Sequence, residues 1–386
     1  MAGTTAARGL GAHAMSRRRA ASAWRHVDIS LVLSVLTCAS LGLIMIYSST
    51  RTRLAEAGTD PAFYLKRQAV FVVVGLAVMA AMALVDYRIF QNRVPFIYAG
   101  MVVALLAVLT PLGVNRKGQQ ASFELAGFQL QPSEYAKVGL IVVLAAYGSL
   151  HGSDLDWGRV AAAVGLAAVP VALIYLQPDL GTSLVFLVIL LGVLLVAGAK
   201  GRHLLALLAL GVVAVIAVVQ LDVLQDYQLD RLTSFLDPQN DTQRAAYNLN
   251  QSKTAIGSGG VLGKGLFAGT QTNLSYVPEQ HTDFIFTAVG EQLGLVGSGL
   301  LLAVYGLMAW RTWRAAALAR DLFGSLICVG VLSMFVFQVF ENVGMTMGIM
   351  PITGIPLPFL SYGGSSTLAA FAAVGLVLNV HMRRFA

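Results

Sequence analysis

The sequence predicts an all-α polytopic membrane protein of about ten transmembrane helices, with a large extracellular loop between helices 7 and 8. Three observations point there. Hydrophobic residues make up 57% of the 386 residues and charged ones 12%, where a soluble domain carries about a quarter charged. Apolar runs of membrane-crossing length recur along the whole chain. Lysine and arginine gather on alternate connections between those runs.

The runs lie near 29–49, 68–86, 94–112, 135–151, 160–177, 181–199, 203–222, 284–309, 321–343 and 365–382. Residues 1–27, with Arg17, Arg18, Arg19 and Arg25, read as a disordered basic cytoplasmic tail, and residues 28–386 as the transmembrane domain. The tail is no cleavable signal, because the apolar stretch after it is too long and no small-residue cleavage site follows. A cytoplasmic N-terminus places Arg88, Arg93, Lys200, Arg311, Arg314 and Arg383 inside as well. An even number of spans then keeps both termini cytoplasmic. The basic balance is a topology signal and not a nucleic-acid footprint. Cys38 and Cys328 both fall in spans, which excludes a disulfide framework and makes them small buried apolar residues.

On this topology the long polar connections face outward: Gly113–Ser133, residues 223–282 and Gly344–Gly364. Irregular, Gly- and Pro-rich segments gathered on one face mark that face as the working one. The fourth run opens with Gln131-Pro132-Ser133-Glu134-Tyr135-Ala136-Lys137, whose Glu134 and Lys137 share a helix face; an in-membrane ion pair is the simplest reading. Gln177-Pro178-Asp179 separates the fifth run from the sixth, with Asp179 either a helix cap or a third ionisable group at similar depth. Within the large loop, residues 257–265 hold five glycines in nine positions and end beside Lys264. Such a segment is either a phosphate cradle of backbone N–H groups plus lysine or a flexible re-entrant loop. It is not a P-loop, since Gly265 follows Lys264. Residues 351–366 place three prolines and three glycines in an apolar context, which membrane depth tolerates only against protein or a water-filled cavity.

Asp283 stands where the polar loop Val277–Thr282 meets the eighth run. Thr282 or Asp283 could cap that helix; an ionisable residue at such a boundary is also a functional candidate, and a helix start can hold a carboxylate rigidly at a cavity edge. Glu134, Lys137, Asp179, Lys264 and Asp283 are predicted to meet at one outward-facing cavity.

At these motifs the chain resembles the SEDS family (shape, elongation, division and sporulation proteins). The matching segments are QPSEYAK, QPDLGTS, AIGSGGVLGKG, PEQHTDFIF with GEQLGLVG, and MPITGIPLPFLSYGGSS, in the family's order and covering the chain from about residue 28. The forms YNLNQSKTAIGSGG, GLFAGTQ and VPEQHTDF are nearer to its elongation branch, RodA, than to FtsW. The resemblance implies a ten-helix peptidoglycan glycosyltransferase of the bacterial cytoplasmic membrane that polymerises lipid II on the outer face, in elongation and shape maintenance. It also implies a class B penicillin-binding protein as partner. It puts the essential loop acid on Asp283, the acidic–basic pair on Glu134 and Lys137, and a further aspartate on Asp179. Gln271, His281, Ser361 and Tyr362, inside matched motifs, join as substrate-binding or cavity residues. The chain departs from the pattern before QPSE, where Ser122 stands at the family's usual tryptophan with Phe123 beside it.

The implied chemistry is inverting transfer of a lipid II disaccharide with release of undecaprenyl pyrophosphate. Asp283 would act as general base on the acceptor hydroxyl, and Lys264, Lys137 or a divalent cation (magnesium or manganese) would steady the leaving pyrophosphate. No cofactor is implied with certainty, and no metal ligands are assigned. Two other classes fit buried charge in a membrane bundle: a lipid II flippase and a non-catalytic scaffold. The outward loops and the lack of an internal repeat weigh against a transporter.

Overall fold

The computed structural model describes residues 26–116, 119–125, 128–152, 155–220 and 244–385. The predicted basic tail and positions 221–243 of the large loop lie outside the described residues, apart from the tail's last two positions. In chain order the helices are α1 (Ile29–Glu56), α2 (Phe63–Leu84), α3 (Arg88–Asn92), α4 (Val94–Val108), α5 (Pro132–His151), α6 (Trp157–Tyr175) and α7 (Leu180–Val196). They continue as α8 (Gly201–Gln220), α9 (Arg244–Gly259), α10 (Thr270–Asn273), α11 (Ile285–Ala317), α12 (Leu322–Met347) and α13 (Gly364–Met382). Ten of these match the ten predicted runs. Six (α1, α2, α6, α11, α12 and α13) are long and apolar enough to cross a membrane on their own, and α4, α7 and the first part of α8 are shorter apolar helices. The chain is an integral membrane protein.

Local sequence sets the helix starts. Asp28, Asp156, Asp179 and Asp321 each accept from the backbone N–H three residues on, at 2.8–3.1 Å, capping α1, α6, α7 and α12. Pro132 opens α5, where its missing N–H is not needed. Gly348 closes α12 in the left-handed region at φ 78°.

The bundle is organised around α13, most of which is buried against α2, α5, α12 and α11. Contact with α2 is close because Gly375 has no side chain: a Cβ there would sit 2.6 Å from the Met79 carbonyl oxygen. Cys38 and Cys328 are fully buried free thiols, as predicted. One end of the bundle is fastened by Asn379, which donates to the Met82 carbonyl at 2.5 Å and also to the Val85 carbonyl. Nearby, Arg311 forks onto Asp28 at 2.6–3.0 Å.

Two connections hold more structure than the sequence suggested. The segment after α4 forms a three-stranded antiparallel sheet, β1 (Val114–Arg116), β2 (Gln119–Leu125) and β3 (Phe128–Leu130), in the order β1-β2-β3. Ser122 faces Val114 across that sheet and Phe123 faces Leu130. The predicted irregular loop before the eighth run contains α9, packed on α11 and α12, and the single turn α10.

Candidate active site

The segment 351–363 between α12 and α13 is where the predicted site residues come together. Asp283 precedes α11, whose cap position falls one residue later, on Phe284, which offers no capping side chain. Thr282 Oγ1 turns back instead, donating to the Glu279 carbonyl at 3.0 Å. The capping expectation for these two residues is corrected accordingly. Four hydrogen bonds zip the 281–283 segment to the proline-rich one. Asn342 Nδ2 donates to the carbonyls of both Asp283 and Ile355, each at 2.8 Å. Ser361 Oγ donates to the Thr282 carbonyl at 2.6 Å while accepting from Leu357 N at 2.9 Å, and Tyr362 N donates to the His281 carbonyl at 2.9 Å. The Asp283 carboxyl is half-buried and lies against Gly354, where an added Cβ would sit 3.3 Å from Oδ2. Gly354 has φ 77°, a conformation that suits only glycine well.

Glu134 and Lys137 pair at 2.7 Å with side chains 5% and 2% exposed, one turn into α5. Both line a cavity of about 10 Å³, room for roughly one water, whose roof is Pro356–Phe359 and whose wall includes Gln338 and Ser366. The pair therefore sits under the same segment that Asp283 touches. Asp179 holds Thr182 N at 3.0 Å and Thr182 Oγ1 at 2.7 Å, and accepts from Gln131 Nε2 at 3.3 Å. That makes it the α7 cap, tied to the start of α5. Next to it, Gly181 lets the Thr353 carbonyl approach to 2.9 Å from where a Cβ would be.

Lys264 and Gln271 belong elsewhere. Gly294 takes a non-helical conformation (φ 64°, ψ −163°) inside α11 and breaks its hydrogen-bond ladder. The glycine-rich segment repairs the break. Lys264 N and Gly265 N donate to the Glu291 and Gln292 carbonyls, each at 3.0 Å, while Leu295 N and Val296 N donate to the Gly260 and Val261 carbonyls, each at 3.0 Å. The approach is so close that a Cβ on Gly263 would fall 2.2 Å from the Gln292 oxygen. These N–H groups serve helix carbonyls, which corrects the phosphate-cradle expectation. Lys264 Nζ bonds Glu291 Oε1 at 3.0 Å and Thr270 Oγ1 at 2.7 Å. Glu291, fully buried, also accepts from Gln271 N at 2.8 Å, Thr272 N at 2.9 Å and Thr272 Oγ1 at 2.7 Å.

His281 meets Tyr64 at a tilt of 49° and Tyr362 meets it edge-to-face, with ring centroids 4.7 and 5.0 Å away. Burial pushes the Tyr362 phenol above its ordinary pKa, opposed by the positive charge of Arg67. Sequence reasoning gave no role to three residues of this region: Asn342, Glu291 and Glu341. Glu341 is fully buried, hydrogen-bonded through Oε1 to Thr353 Oγ1, and its Oε2 accepts from no donor among the described residues. Each stands as a polar residue inside an apolar helical run, which is the signal that marks it. Among the described residues no three His, Cys, Asp or Glu side chains converge on one point.

The model of the FtsW, RodA and SpoVE cell cycle proteins matches residues 28–385. The peptidoglycan glycosyltransferase MrdB of Escherichia coli K12 is 35% identical over 359 residues, covering 93% of this chain and 94% of its own. Stage V sporulation protein E of Bacillus subtilis 168 is 36% identical over 356 residues, with 92% and 96% covered. A chain of a peptidoglycan synthase complex, solved to show how polymerization and crosslinking are coordinated, matches at TM-score 0.79 and 33% identity, covering 93% of this chain and 98% of that one. The rod shape determining protein RodA of Thermus thermophilus matches at TM-score 0.70 and 31% identity, with 94% and 99% covered.

Proposed function

Because the chain belongs to the FtsW/RodA/SpoVE family of cell cycle proteins, the SEDS family, we propose that it is a peptidoglycan glycosyltransferase that polymerises lipid II. Relatives that carry that activity in their names align over nearly the whole chain. The observation that carries the reading to a site is the clamp on Asp283: Asn342 and Ser361 fix the backbone around it, and its carboxyl edges the 351–363 segment above the Glu134–Lys137 pair.

The C4 hydroxyl of the acceptor N-acetylglucosamine attacks the anomeric carbon of the donor, which is α-linked to undecaprenyl pyrophosphate. Asp283 takes the hydroxyl proton as the new β-1,4 C–O bond forms. The old C–O bond breaks with its electron pair on the pyrophosphate, so the anomeric centre inverts with no covalent enzyme intermediate. Glu134 orients Lys137, whose charge steadies the negative charge that develops on the leaving pyrophosphate. Asp179 holds the start of α7, and Lys264 braces α11 through Glu291 rather than meeting the pyrophosphate. The protein works in the bacterial cytoplasmic membrane with both termini inside and Asp283 at the outer face, following the lysine and arginine distribution. Its domain spans 28–386, its role is elongation and shape maintenance, and its partner is a class B penicillin-binding protein that crosslinks the strands. Gel-resolved polymerisation of purified lipid II, with and without that partner, tests the reading: wild type makes ladders of glycan, and a wild type that makes none in either condition overturns it.

A further inference from the structure

Beside Asp283 lies a group of rings that the reaction above does not use. Tyr64, from the first turn of α2, meets His281 at 4.7 Å and Tyr362 at 5.0 Å between centroids, and His281 meets Tyr362 at 5.6 Å. Arg67, one turn along α2, sits between two more rings, 5.1 Å from the Phe63 centroid and 5.0 Å from that of Phe128 on β3. Phe63 and Phe128 are 43% and 41% exposed, while Tyr64 and Tyr362 are half-buried. Aromatic rings at a membrane boundary commonly form a belt that anchors the protein among lipid headgroups. A belt explains outward-facing Phe63 and Phe128. It does not explain three rings turned toward one another, nor their attachment to the catalytic segment through the Tyr362 N–His281 carbonyl bond two residues from Asp283.

Resting on the glycosyltransferase reading, we propose that Tyr64 and Tyr362, with Arg67 beside them, form a carbohydrate subsite that stacks one N-acetylated hexose of the glycan strand and holds it in line with Asp283. The apolar C–H face of a pyranose matches an aromatic face, and a phenol offers a hydroxyl at the ring edge for the sugar's polar rim. Arg67, held between the Phe63 and Phe128 rings, supplies N–H donors for the hydroxyl and N-acetyl oxygens of the sugar. The placement fits a polymerase, which must grip a saccharide unit next to the reacting one if the strand is to stay aligned between transfers.

The test uses the full-length protein in detergent and has two independent arms. Saturation-transfer NMR on wild type, irradiating aromatic protons in the presence of a soluble β-1,4-linked N-acetylglucosamine tetramer, is expected to show transfer to the sugar ring protons. In lipid II polymerisation, Tyr64→Leu keeps an apolar side chain for the belt and is expected to raise KM about tenfold with kcat within about threefold of wild type, while Tyr64→Phe keeps the ring and restores wild-type KM. No transfer to the tetramer from a wild type that polymerises lipid II overturns the subsite and leaves the glycosyltransferase reading standing. A KM for Tyr64→Leu within twofold of wild type, or an equal defect in Tyr64→Phe, also overturns it. A wild type that makes no polymer overturns the parent reading instead.

Discussion

Asn342 is the residue through which the account is most exposed to refutation. It is fully buried on α12, and one amide nitrogen serves two carbonyls, those of Asp283 and Ile355, each at 2.8 Å. Asn342→Ala deletes both bonds at once and leaves two carbonyls without that donor. Each loss costs about 1 kcal/mol as a net hydrogen bond and up to ~3 kcal/mol where the carbonyl stays dry, or about 2–6 kcal/mol together. The effect on catalysis is separate from this loss. Asn342 bridges the Asp283 and Ile355 carbonyls, so its loss loosens the carboxyl relative to the 351–363 segment, which the Ser361 and Tyr362 bonds then hold less tightly. A displacement of about 1 Å at a reacting group costs on the order of 10²-fold in rate. The control is Asn379→Ala at the opposite end of α13, which also removes a fully buried amide bonded to two carbonyls. Thermal unfolding by size-exclusion retention and lipid II polymerisation are measured on both variants. Both lower Tm; only Asn342→Ala lowers kcat by ten- to a hundredfold. Equal activity losses in the two variants, or wild-type kcat in Asn342→Ala, would refute the clamp.

Two further outcomes follow from the ion pairs. Removing either partner of Glu134–Lys137 strands a buried charge, so Glu134→Gln and Lys137→Met each lose about 3–5 kcal/mol of stability, and the double variant recovers part of the lost Tm without recovering polymerisation; a fully active double variant would remove the pair from the mechanism. Lys264, 26% exposed and bonded to Glu291, acts as a brace: Lys264→Met is expected to keep polymerisation within about tenfold of wild type, whereas Glu291→Ala, which strips a fully buried carboxylate from its donors, lowers Tm by several degrees. Loss of all polymer in Lys264→Met at unchanged Tm would return that lysine to the pyrophosphate.

What was legible in the sequence follows from how local each signal is. The spans could be read because a membrane-crossing helix needs only a continuous apolar stretch, and the Glu134–Lys137 pair because a spacing of three fixes a shared helix face. Asp179 as a cap could be read from Pro178 and the polar residues after it. The glycine-rich segment could be seen but not assigned. Its five glycines and Lys264 suit a phosphate cradle equally well until Gly294, some thirty residues later, is known to break α11 and present free carbonyls. Asn342 stood out as a polar residue in an apolar run, but its role could not be read for the same reason: its two acceptors lie 59 and 13 residues away. The sheet of residues 114–130 escaped although Ala121, Phe123 and Leu125 alternate with Ser122 and Glu124, because its partner strands β1 and β3 are only three residues each. Asp283 itself was found through its boundary position and the family motif, although the cap position of α11 falls on Phe284.

The most direct measurement compares wild type, Asp283→Asn and Asp283→Ala in polymerisation of purified lipid II in the presence of the penicillin-binding partner, with monodisperse elution and Tm confirming the fold. Loss of a general base costs about 10²–10⁴-fold, so the account predicts no detectable glycan from either variant while Tm stays near wild type. Glycan from Asp283→Ala at a rate close to wild type would contradict it.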